Sequence, residues 1–472
     1  MAKFYITNAI PYVNAKPHIG HALEFIQSDT IARFHKISGD EVLLLCGADE
    51  NAVKNVQSAK KEGRQISEFI NENAKHFENL AKALSVEFDV FQRGSSDDHH
   101  KASQKLWELC DKSGDIYKKA YKGLYCVGCE EFKTKEDLNE NGQCPEHPGK
   151  KLDEVSEENY FFRLSAYQDK ILEIVESNKY VIVPEFRRNE VLSFIKSGLQ
   201  DFSISRSNAR AHNWGVEVPG DPTQKIYVWF DALNIYQSGI GFYSNLEKYN
   251  KWWPADLHVI GKGIIRFHAV YWPAILLSAG LALPKTLFVH EYFTVNGQKM
   301  SKTLGNVIDP MEMIKKYGAD ALRYYCLAKI SPFQDGDFSE EKLKEAYNAD
   351  LANGLGNLVS RVARLCESNS IEVDEKKASI IPEVEQRLNE YKFNEALYVV
   401  WRKIQEADIY INEVKPWEME GEKLKDVLID LSNRIRTIAY NLKPFLPETS
   451  EKILKQFSGN IKSDAPLFPR IN

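Results

Sequence analysis

The sequence predicts an α/β domain built on a parallel sheet, interrupted by a cysteine-bearing insertion and followed by an all-α region. Residues 4–47 read as strand, helix and strand, which is the pattern of a βαβ unit. A cluster of cysteines and charges between residues 115 and 205 breaks that pattern. From about residue 340 the apolar spacing is helical to the end.

The strand and helix expectations follow from residue spacing. Residues 4–12 indicate a buried strand followed by a loop, and residues 41–47 a second apolar strand of parallel type. Between them, a helix is predicted over 20–34. The α/β pattern is expected to resume near Lys225 and at Leu257. In the helical region, one face carries an apolar stripe: Leu351, Leu355, Leu358, Val359, Val362 and Leu365.

Composition bounds the class of protein. A chain of 472 residues with 43% hydrophobic and 27% charged residues predicts two to four folded domains. It has no apolar run long enough for a membrane span, and its N-terminus lacks a signal-peptide pattern, so we expect no membrane and a cytoplasmic location. The net charge of -6 argues weakly against a nucleic-acid partner but leaves room for a local basic groove. The cysteine usage suits a reducing compartment.

A first motif, His18-Ile19-Gly20-His21, lies at the predicted start of the first helix. Gly20 would let a ligand approach the backbone, the helix N-terminus favours a phosphate, and the two histidines can donate hydrogen bonds to its oxygens. Taken alone, two histidines near a helix start are more often structural.

A second motif is the glycine-flanked run Lys299-Met300-Ser301-Lys302-Thr303. Two lysines on a mobile loop can neutralise a polyphosphate and the charge that develops as pyrophosphate leaves. Taken alone, the run is better explained as a solvated surface loop.

The cysteine cluster has the spacing of a zinc site. Two short-spaced pairs, separated by 14 residues, supply four sulfur and nitrogen ligands for a tetrahedral ion: Cys126, Cys129, Cys144 and His147. Four protein ligands leave no open position, so we expect a structural zinc. Coincidentally spaced thiols are the alternative.

Together and in this order, the two motifs resemble the signature pair of class I aminoacyl-tRNA synthetases. Their flanking segments, residues 9–14, 227–233 and 267–273, are similar to the methionyl-tRNA synthetases, and the resemblance runs from Phe4 to about Lys443. It implies a Rossmann-like catalytic domain with a zinc-knuckle insertion, followed by an all-α anticodon-binding bundle. The implied ranges are 1–114 and 206–295 for the catalytic domain, 115–205 for the insertion, 296–345 for the lysine loop and linking segment, and 346–472 for the bundle.

The implied reaction joins methionine to ATP, which carries Mg, and then to methionine tRNA, both initiator and elongator. The catalytic residues would be His18, His21, Lys299 and Lys302. The resemblance implies these ATP-binding residues: Gly20, Gly261, Lys299, Ser301, Lys302 and Thr303. It implies these residues around the methionine: Ile10, Tyr12, Asp49, Trp229, Ala232, Leu233, Tyr236, Ile264, Phe267, His268 and Trp272. Aromatic rings suit a polarizable thioether, and Asp49 can take the substrate ammonium. Without the resemblance, an aromatic cluster is more often plain core.

In the helical region, the resemblance implies that Asn357, Arg361 and Trp417 read the anticodon. Trp can stack on an unpaired base, whereas Asn and Arg can bond its edges. The bland alternative is an exposed helix face beside a packed Trp. Residues 346–472 hold 18 basic and 20 acidic side chains, so recognition should rest on specific contacts. The resemblance also predicts a monomer, since no appended dimerisation module follows the bundle.

Four positions depart from the family pattern. Asn51 and Ala52 stand where the family commonly has His-Gly, Gly263 stands where Asp is common, and Thr303 replaces Ser. Gly263 puts one nucleotide contact in doubt: either another group or water replaces the lost carboxylate or ATP binds more weakly, or the loop is rebuilt around the glycine.

Two rivals remain at this point. A synthetase for Leu, Ile or Val would carry a longer editing insertion, and one for Cys would place its metal in the active site. A non-catalytic tRNA-binding paralogue would explain the departures but not the intact histidine and lysine pairs.

Overall fold

The centre of the fold is a six-stranded parallel sheet. The computed structural model describes residues 2–126, 128, 131–133, 137–147, 149–295, 297–300, 306–374 and 378–471, with the backbone alone at 121, 131, 132 and 299. Every pair of neighbouring strands in this sheet is parallel. In spatial order the strands are Val90–Arg93, Glu41–Ala48, Lys3–Asn8, Leu257–Gly261, Thr286–His290 and Val181–Val183. The predicted α/β class is confirmed.

The two faces of the sheet feed two different cores, because successive side chains of a strand point to opposite faces. Ile6, Leu44 and Phe288 join one core, whereas Tyr5 and Leu45 join the other. Helices Ile19–Ile37, Val53–Lys61 and Ile66–Ala83 cover the first face. Helices Asp97–Lys112, Val228–Ala232, Ile235–Ser238, Leu246–Trp252 and Trp272–Ser278 cover the second.

The predicted insertion, 115–205, is built mainly on an antiparallel sheet, but it also contributes to the parallel sheet. Strand Val181–Val183 pairs with Thr286–His290, so these three residues do not belong to an inserted domain. The antiparallel sheet runs Glu131–Lys133, Ile116–Cys126, Asp153–Phe162 and Phe202–Ser203. Helices Gln168–Glu176 and Glu185–Lys196 follow it, with a short 3₁₀ turn at Leu164–Tyr167.

The apolar run near Lys225 predicted a return to the α/β pattern. Instead, this segment joins a separate sheet. Strand Asp221–Ile226 pairs antiparallel with Ser205–Ser207 and Glu217–Val218 in a separate three-stranded sheet. The chain re-enters the parallel sheet at Leu257–Gly261, as expected. A 3₁₀ turn, Lys262–Ile264, and a π-helical turn, Phe267–Tyr271, then lead into helix Trp272–Ser278.

A small sheet and two helices link the parallel sheet to the bundle. Strands Gln298–Lys299, Phe293–Val295 and Gly336–Phe338 form the sheet. Helices Pro310–Tyr317 and Ala319–Tyr324 follow, with a π-helical turn at Tyr325–Lys329.

The C-terminal region is an α-helical bundle that shares its core with one face of the parallel sheet. Its helices are Glu340–Ala346, Asn357–Ser368, Pro382–Asn389, Phe393–Val414, Gly421–Leu442 and Pro447–Gln456, with a π-helical stretch at Tyr347–Gly356 and a 3₁₀ turn at Pro416–Glu418. The predicted apolar stripe is buried except for Leu365, which is half-buried. The helical pattern does not reach the end: Glu372–Val373 pairs with Gly459–Asn460, and residues 461–471 are non-helical.

A fully buried ion pair joins the sheet to the bundle. The Arg323 guanidinium lies 2.8 Å from the Asp29 carboxylate on the first helix. It also donates to the backbone carbonyls of Leu84, Pro444 and Phe445. The charge is therefore paired and hydrogen-bonded, as burial requires. In the part of the chain that is described, no helix is long and apolar enough to cross a bilayer.

Candidate functional site

A cavity of about 550 Å³ opens where the parallel strands end. It lies beyond the carboxyl ends of strands Lys3–Asn8, Leu257–Gly261 and Thr286–His290, beside the N-terminus of helix Ile19–Ile37. Ligands of open parallel sheets bind at this edge, and a helix N-terminus there favours anionic groups. The cavity wall unites several predicted residues: Ile10, Tyr12, His18, Gly20, His21, Trp229, Gly261 and Ile264.

The two histidines of the first motif cap the helix reciprocally. His18 Nδ1 accepts a hydrogen bond from the Gly20 N–H at 3.1 Å, and the His18 N–H donates to His21 Nδ1 at 3.1 Å. Because each Nδ1 is an acceptor, each neutral ring carries its proton on Nε2. Burial and the neighbouring His18 hold the pKa of His21 well below its usual range. The pair can therefore offer two neutral N–H donors near the helix N-terminus.

The second motif meets the first at this cavity. Met300 lines the wall, and a Cβ added to Gly20 would lie 3.6 Å from Met300 Cε and 2.9 Å from His18 Cε1. Gly20 therefore permits close packing of both motifs. The Ile19 N–H also donates to the Ile308 carbonyl beyond the loop. The side chain of Lys299 and all of Ser301, Lys302 and Thr303 lie outside the described residues.

The cavity wall also holds a carboxylate, Glu24, that the motif analysis missed. Glu24 accepts from Asn8 Nδ2 at 2.6 Å and pairs with His290 Nε2 at 2.8 Å. It thereby ties the first helix to two strand ends. Its position three residues beyond His21 places it one turn along the same face, a spacing that could have revealed it.

The predicted methionine-binding residues form an aromatic stack beside the cavity. The Trp229 ring lies parallel to the Phe267 ring, with 3.9 Å between centroids. Tyr12 and His268 each meet Trp229 edge-on. Tyr236 Oη lies 2.8 Å from His268 Nε2, and His268 Nδ1 lies 3.0 Å from the Ile264 carbonyl. Since a carbonyl only accepts, Nδ1 carries the proton and Nε2 accepts from Tyr236.

The remaining predicted members lie in the layer behind this wall. Asp49 is 4% exposed and its backbone bridges to Tyr12, which borders the cavity. Ala232 and Leu233 are buried at the end of the helix that carries Trp229. Trp272 is fully buried and packs edge-on against Trp253. Within the described residues, these four contribute no side chain to the cavity wall.

The cysteine cluster comes together as its spacing predicts. The ligand atoms of Cys126, Cys144 and His147 all lie within 4.8 Å of one another. His147 Nδ1 is 3.8 Å from Cys126 Sγ and 4.0 Å from Cys144 Sγ. The predicted fourth ligand, Cys129, lies outside the described residues. Two thiols and an imidazole at these separations suit a soft tetrahedral ion such as zinc.

The predicted anticodon residues share a groove of about 520 Å³ on the bundle, which we call the bundle groove. Its described wall consists of Ala352, Asn353, Gly356, Asn357, Ser360, Arg361, Arg364, Leu365, Trp417, Pro466, Phe468, Pro469 and Arg470. The Arg361 guanidinium lies 4.9 Å from the Trp417 ring and donates to Asn412 Oδ1 at 2.8 Å. Trp417 is 50% exposed, so its ring is available for stacking.

Comparisons with known proteins agree over nearly the whole chain. The family model described as "tRNA synthetases class I (M)" matches residues 4–154 and 147–363. A methionine–tRNA ligase of Rhizobium meliloti (strain 1021) is 42% identical over 471 residues, which cover 96% of this chain and 91% of the relative. One of Thermotoga maritima is also 42% identical, with 97% and 75% covered. The Mycobacterium tuberculosis methionyl-tRNA synthetase in complex with methionyl-adenylate superposes with a TM-score of 0.93 at 36% identity, with 100% of both chains covered. The chain belongs to the class I methionyl-tRNA synthetases.

In this synthetase, Asn51 supports the helix that carries Trp229. Its Nδ2 donates to Asp231 Oδ2 at 2.7 Å and to the Gly94 carbonyl at 2.8 Å. Asp231 also binds His99 and Ser103. Burial opposes ionisation of Asp231, but His99 outweighs it and lowers the pKa of the carboxyl. The amide thus completes a buried polar cluster. Ala52 is buried and begins helix Val53–Lys61 without a side-chain cap.

The structure fits the second explanation of Gly263, a loop rebuilt around the glycine. The Gly263 N–H donates to Tyr292 Oη at 2.7 Å, and a Cβ at position 263 would lie 2.1 Å from that oxygen. Any side chain there would collide with Tyr292. Burial raises the pKa of Tyr292 to about 12, so the hydroxyl is neutral. Tyr292 and His290 both line the cavity, at and just beyond the end of strand Thr286–His290, and the sequence analysis missed them.

An ion-pair network fixes the same edge. Lys262 Nζ lies 2.6 Å from Asp335 and 2.8 Å from Glu291. Arg187 pairs with Glu291 as well. Glu291 is nearly buried, and two cations neutralise it. The backbone that carries Gly261 and Gly263 is therefore held from both sides.

Proposed function

We propose that the cavity activates methionine with ATP and then transfers it to tRNA, with roles for named side chains as follows. The main support is that the His18-Ile19-Gly20-His21 helix start and Met300 of the lysine loop border one cavity. The chemistry needs polyphosphate ligands and an amino-acid pocket side by side, and this cavity adjoins the Trp229 aromatic stack.

In the first step, a methionine carboxylate oxygen attacks the α-phosphorus of ATP. The bond to the bridging oxygen breaks, and pyrophosphate leaves as methionyl adenylate forms. His18 and His21 would donate from Nε2 to phosphate oxygens, and Lys299 and Lys302 would stabilise the leaving pyrophosphate. Mg bound to ATP would neutralise further phosphate charge. No protein nucleophile is needed, since positioning and electrostatics supply the catalysis.

In the second step, a ribose hydroxyl of the terminal adenosine of tRNA attacks the acyl carbonyl, and AMP leaves. A neutral His21 donor suits both steps, because it stabilises the phosphate charge without titrating near neutral pH. The low pKa of His21 supports this role.

Methionine selection would rest on the aromatic stack. The thioether would lie against Trp229 and Phe267, near the Tyr236–His268 pair, and Asp49 would take the ammonium. His268 accepts from Tyr236 and donates to Ile264, so its orientation is set before any ligand arrives. A fixed polar group in an apolar pocket is what discrimination between similar side chains requires.

A structural zinc would bind Cys126, Cys129, Cys144 and His147. The convergence of three of these ligands supports it. The ion would stabilise the insertion without taking part in catalysis. Metal analysis of purified protein should find one zinc per chain, and Cys126→Ser should lower both zinc content and thermal stability. Zinc-free protein with full activity and unchanged stability would contradict this assignment.

The bundle groove would read the methionine anticodon, with Trp417 stacked on a base and Asn357 and Arg361 at its edges. The expected substrates are both initiator and elongator methionine tRNA, and the expected enzyme is a cytoplasmic monomer.

The deciding experiment is pyrophosphate exchange with each amino acid in turn. Exchange that depends on methionine supports the proposal. Exchange with another amino acid would point to a sister enzyme, and no exchange to a non-catalytic paralogue. Lys302→Ala should lower the rate of adenylate formation far more than ground-state ATP binding. An equal loss in both would make Lys302 an ordinary binding residue.

A further inference from the structure

The bundle groove has a second wall, built by residues near the C-terminal end of the chain. Pro466, Phe468, Pro469 and Arg470 line the groove together with the helix that carries Asn357 and Arg361. These tail residues lie at least 98 positions beyond the end of that helix and were not part of any motif. The groove is therefore completed by the tail.

The groove is cationic although the bundle is not. Its described wall holds Arg361, Arg364 and Arg470 and no acidic residue. Residues 346–472 as a whole carry 18 basic and 20 acidic side chains, so the positive charge is local. Arg361 is tied to Asn412 and lies 3.8 Å from Asp408. Over the described ranges, Arg364 and Arg470 are exposed and form no ion pair.

The backbone on both sides of Arg470 is clamped. Asn348 Nδ2 donates to the Ile471 carbonyl at 2.9 Å, and the Ile471 N–H donates to Asn348 Oδ1 at 3.1 Å. Tyr347 Oη donates to the Pro469 carbonyl at 2.9 Å. Phe468 is buried against the Tyr347 ring, with 5.8 Å between centroids. Arg470 thus projects from a fixed stretch of backbone.

We propose that Arg470, positioned by the Asn348 clamp, binds a backbone phosphate of the single-stranded anticodon loop. This proposal rests on the proposed anticodon function of the groove. A nucleotide whose base stacks on Trp417 brings its sugar and phosphate into the same groove, whose wall includes Arg470. An exposed arginine without a carboxylate partner is suited to a phosphate there, because no existing ion pair must break.

Arg470→Ala tests the assignment directly. The kcat/KM for charging of methionine tRNA should fall roughly tenfold, as expected for a lost charged hydrogen bond. The loss should be the same factor for tRNAs with altered anticodon bases, because a phosphate carries no base identity. The dependence of log affinity on log salt concentration should weaken by about 0.7, the value for one phosphate of a single strand.

Lys455→Ala is the matched control. Lys455 is an exposed cation of the same bundle, outside the groove and without an ion pair in the described chain. Its removal should leave charging and the salt dependence unchanged. An equal loss in both variants would reduce the effect to bulk charge and overturn the proposal. Pyrophosphate exchange without tRNA reports whether each variant is folded.

Trp417→Ala separates failure of this proposal from failure of the anticodon assignment. If Trp417→Ala weakens tRNA charging and Arg470→Ala does not, the groove reads the anticodon without Arg470. If neither variant affects charging, the anticodon assignment itself is wrong. If Arg470→Ala changes the preference among anticodon bases, Arg470 contacts a base edge and the phosphate assignment is wrong.

A double-mutant cycle tests the clamp. Asn348→Ala should reproduce much of the Arg470→Ala loss and the weaker salt dependence, and the double variant should lose no more than Arg470→Ala alone. Additive losses would mean that Asn348 does not act through Arg470. Both single variants should match the parent in thermal midpoint within a few degrees, since the tail is a surface segment.

Discussion

The catalytic cavity and the bundle groove hold polar groups in opposite ways. At the cavity, two polar clusters are already tied together by hydrogen bonds: Glu24 binds Asn8 and His290, and His268 binds Tyr236. In the groove, by contrast, Trp417 is half exposed. Arg364 and Arg470, within the described residues, form no ion pair.

This difference fits the demands of the two proposed tasks. Activation needs fixed dipoles in a water-poor site, where reorganisation during the reaction would cost rate. Reading a single strand needs open stacking surfaces and unpaired cations that the nucleic acid can reach. Changes in the cavity should therefore have larger effects than changes in the groove, and they should be felt before tRNA binds.

The largest loss is expected from Asp49→Ala. Asp49 is buried beside Tyr12, and in its proposed role its loss would leave the substrate ammonium without a carboxylate partner. Truncating one partner of a buried charged pair costs about 3 kcal/mol or more, on the order of a hundredfold in kcat/KM for methionine. Methionine-dependent pyrophosphate exchange measures it. Asp49→Asn, which keeps the size and removes the charge, should lose almost as much. Unchanged kinetics in both would move the ammonium site elsewhere.

The cavity end should also lose stability at mildly acidic pH. Burial lowers the pKa of His268 to about 4, against 6.5 when unfolded. The unfolded chain then binds more protons between these values, so stability is full above pH 6.5 and falls as pH drops towards 4. The difference is about 3 kcal/mol.

The measurement is urea unfolding of the parent and of His268→Gln across this range. The variant should show a shallower pH dependence, since its amide does not titrate. Parallel curves would remove His268 as the cause. The part of the pH dependence that the variant loses therefore belongs to the cavity end.

A smaller effect is expected in the groove. Trp417→Ala should weaken tRNA recognition by roughly 1–3 kcal/mol through lost stacking, whereas methionine activation without tRNA should hardly change. The kcat/KM for tRNA charging and pyrophosphate exchange separate the two steps. Equal losses in both steps would indicate that Trp417 supports the fold, despite its exposure.

The smallest expected effect concerns Gly263. Gly263→Asp should weaken ATP binding by about 1 kcal/mol, severalfold, because the new side chain must displace Tyr292. With Tyr292→Phe the hydroxyl is gone, and the nearest remaining ring atom lies 3.3 Å from the added Cβ. The double variant should therefore bind ATP better than Gly263→Asp alone. Tighter ATP binding by Gly263→Asp in the parent would show that the carboxylate was simply missing.

Local patterns predicted the parts of the fold that depend on neighbours in sequence. The first helix was expected over 20–34 and runs Ile19–Ile37, with His18 as its cap. Strand Val181–Val183 has only three residues, too few for a periodicity to reveal, and its partner is distant in sequence. Similarly, the apolar run near Lys225 indicated a strand but not which sheet would accept it.

The candidate site divides in the same way. Motif and resemblance named His18, Gly20, Tyr12 and Trp229 as site residues, and the structure shows all four lining one cavity. They missed Glu24, although it lies one turn beyond His21, because its pairing with the distant His290 is not visible in the sequence. The collision at Gly263 could not be predicted from the sequence either, since it arises from Tyr292, 29 positions away. The tail residues that line the groove were missed for the same reason, because they are distant in sequence from its other residues.

The buried Arg323 fixes the position of the bundle relative to the parallel sheet, in addition to stabilising the fold. Its guanidinium binds a carboxylate of the first helix and carbonyls that precede the last bundle helix. Any hinge motion between sheet and bundle would strip a buried charge of its partners, a penalty of several kcal/mol. The distance between the catalytic cavity and the bundle groove is thus held fixed. A tRNA gains from engaging both only if its own span fits the gap, because a second contact strengthens binding only where geometry permits both at once. In the proposed function, Arg323 would therefore set which tRNA span can reach both sites, although it lines neither of them.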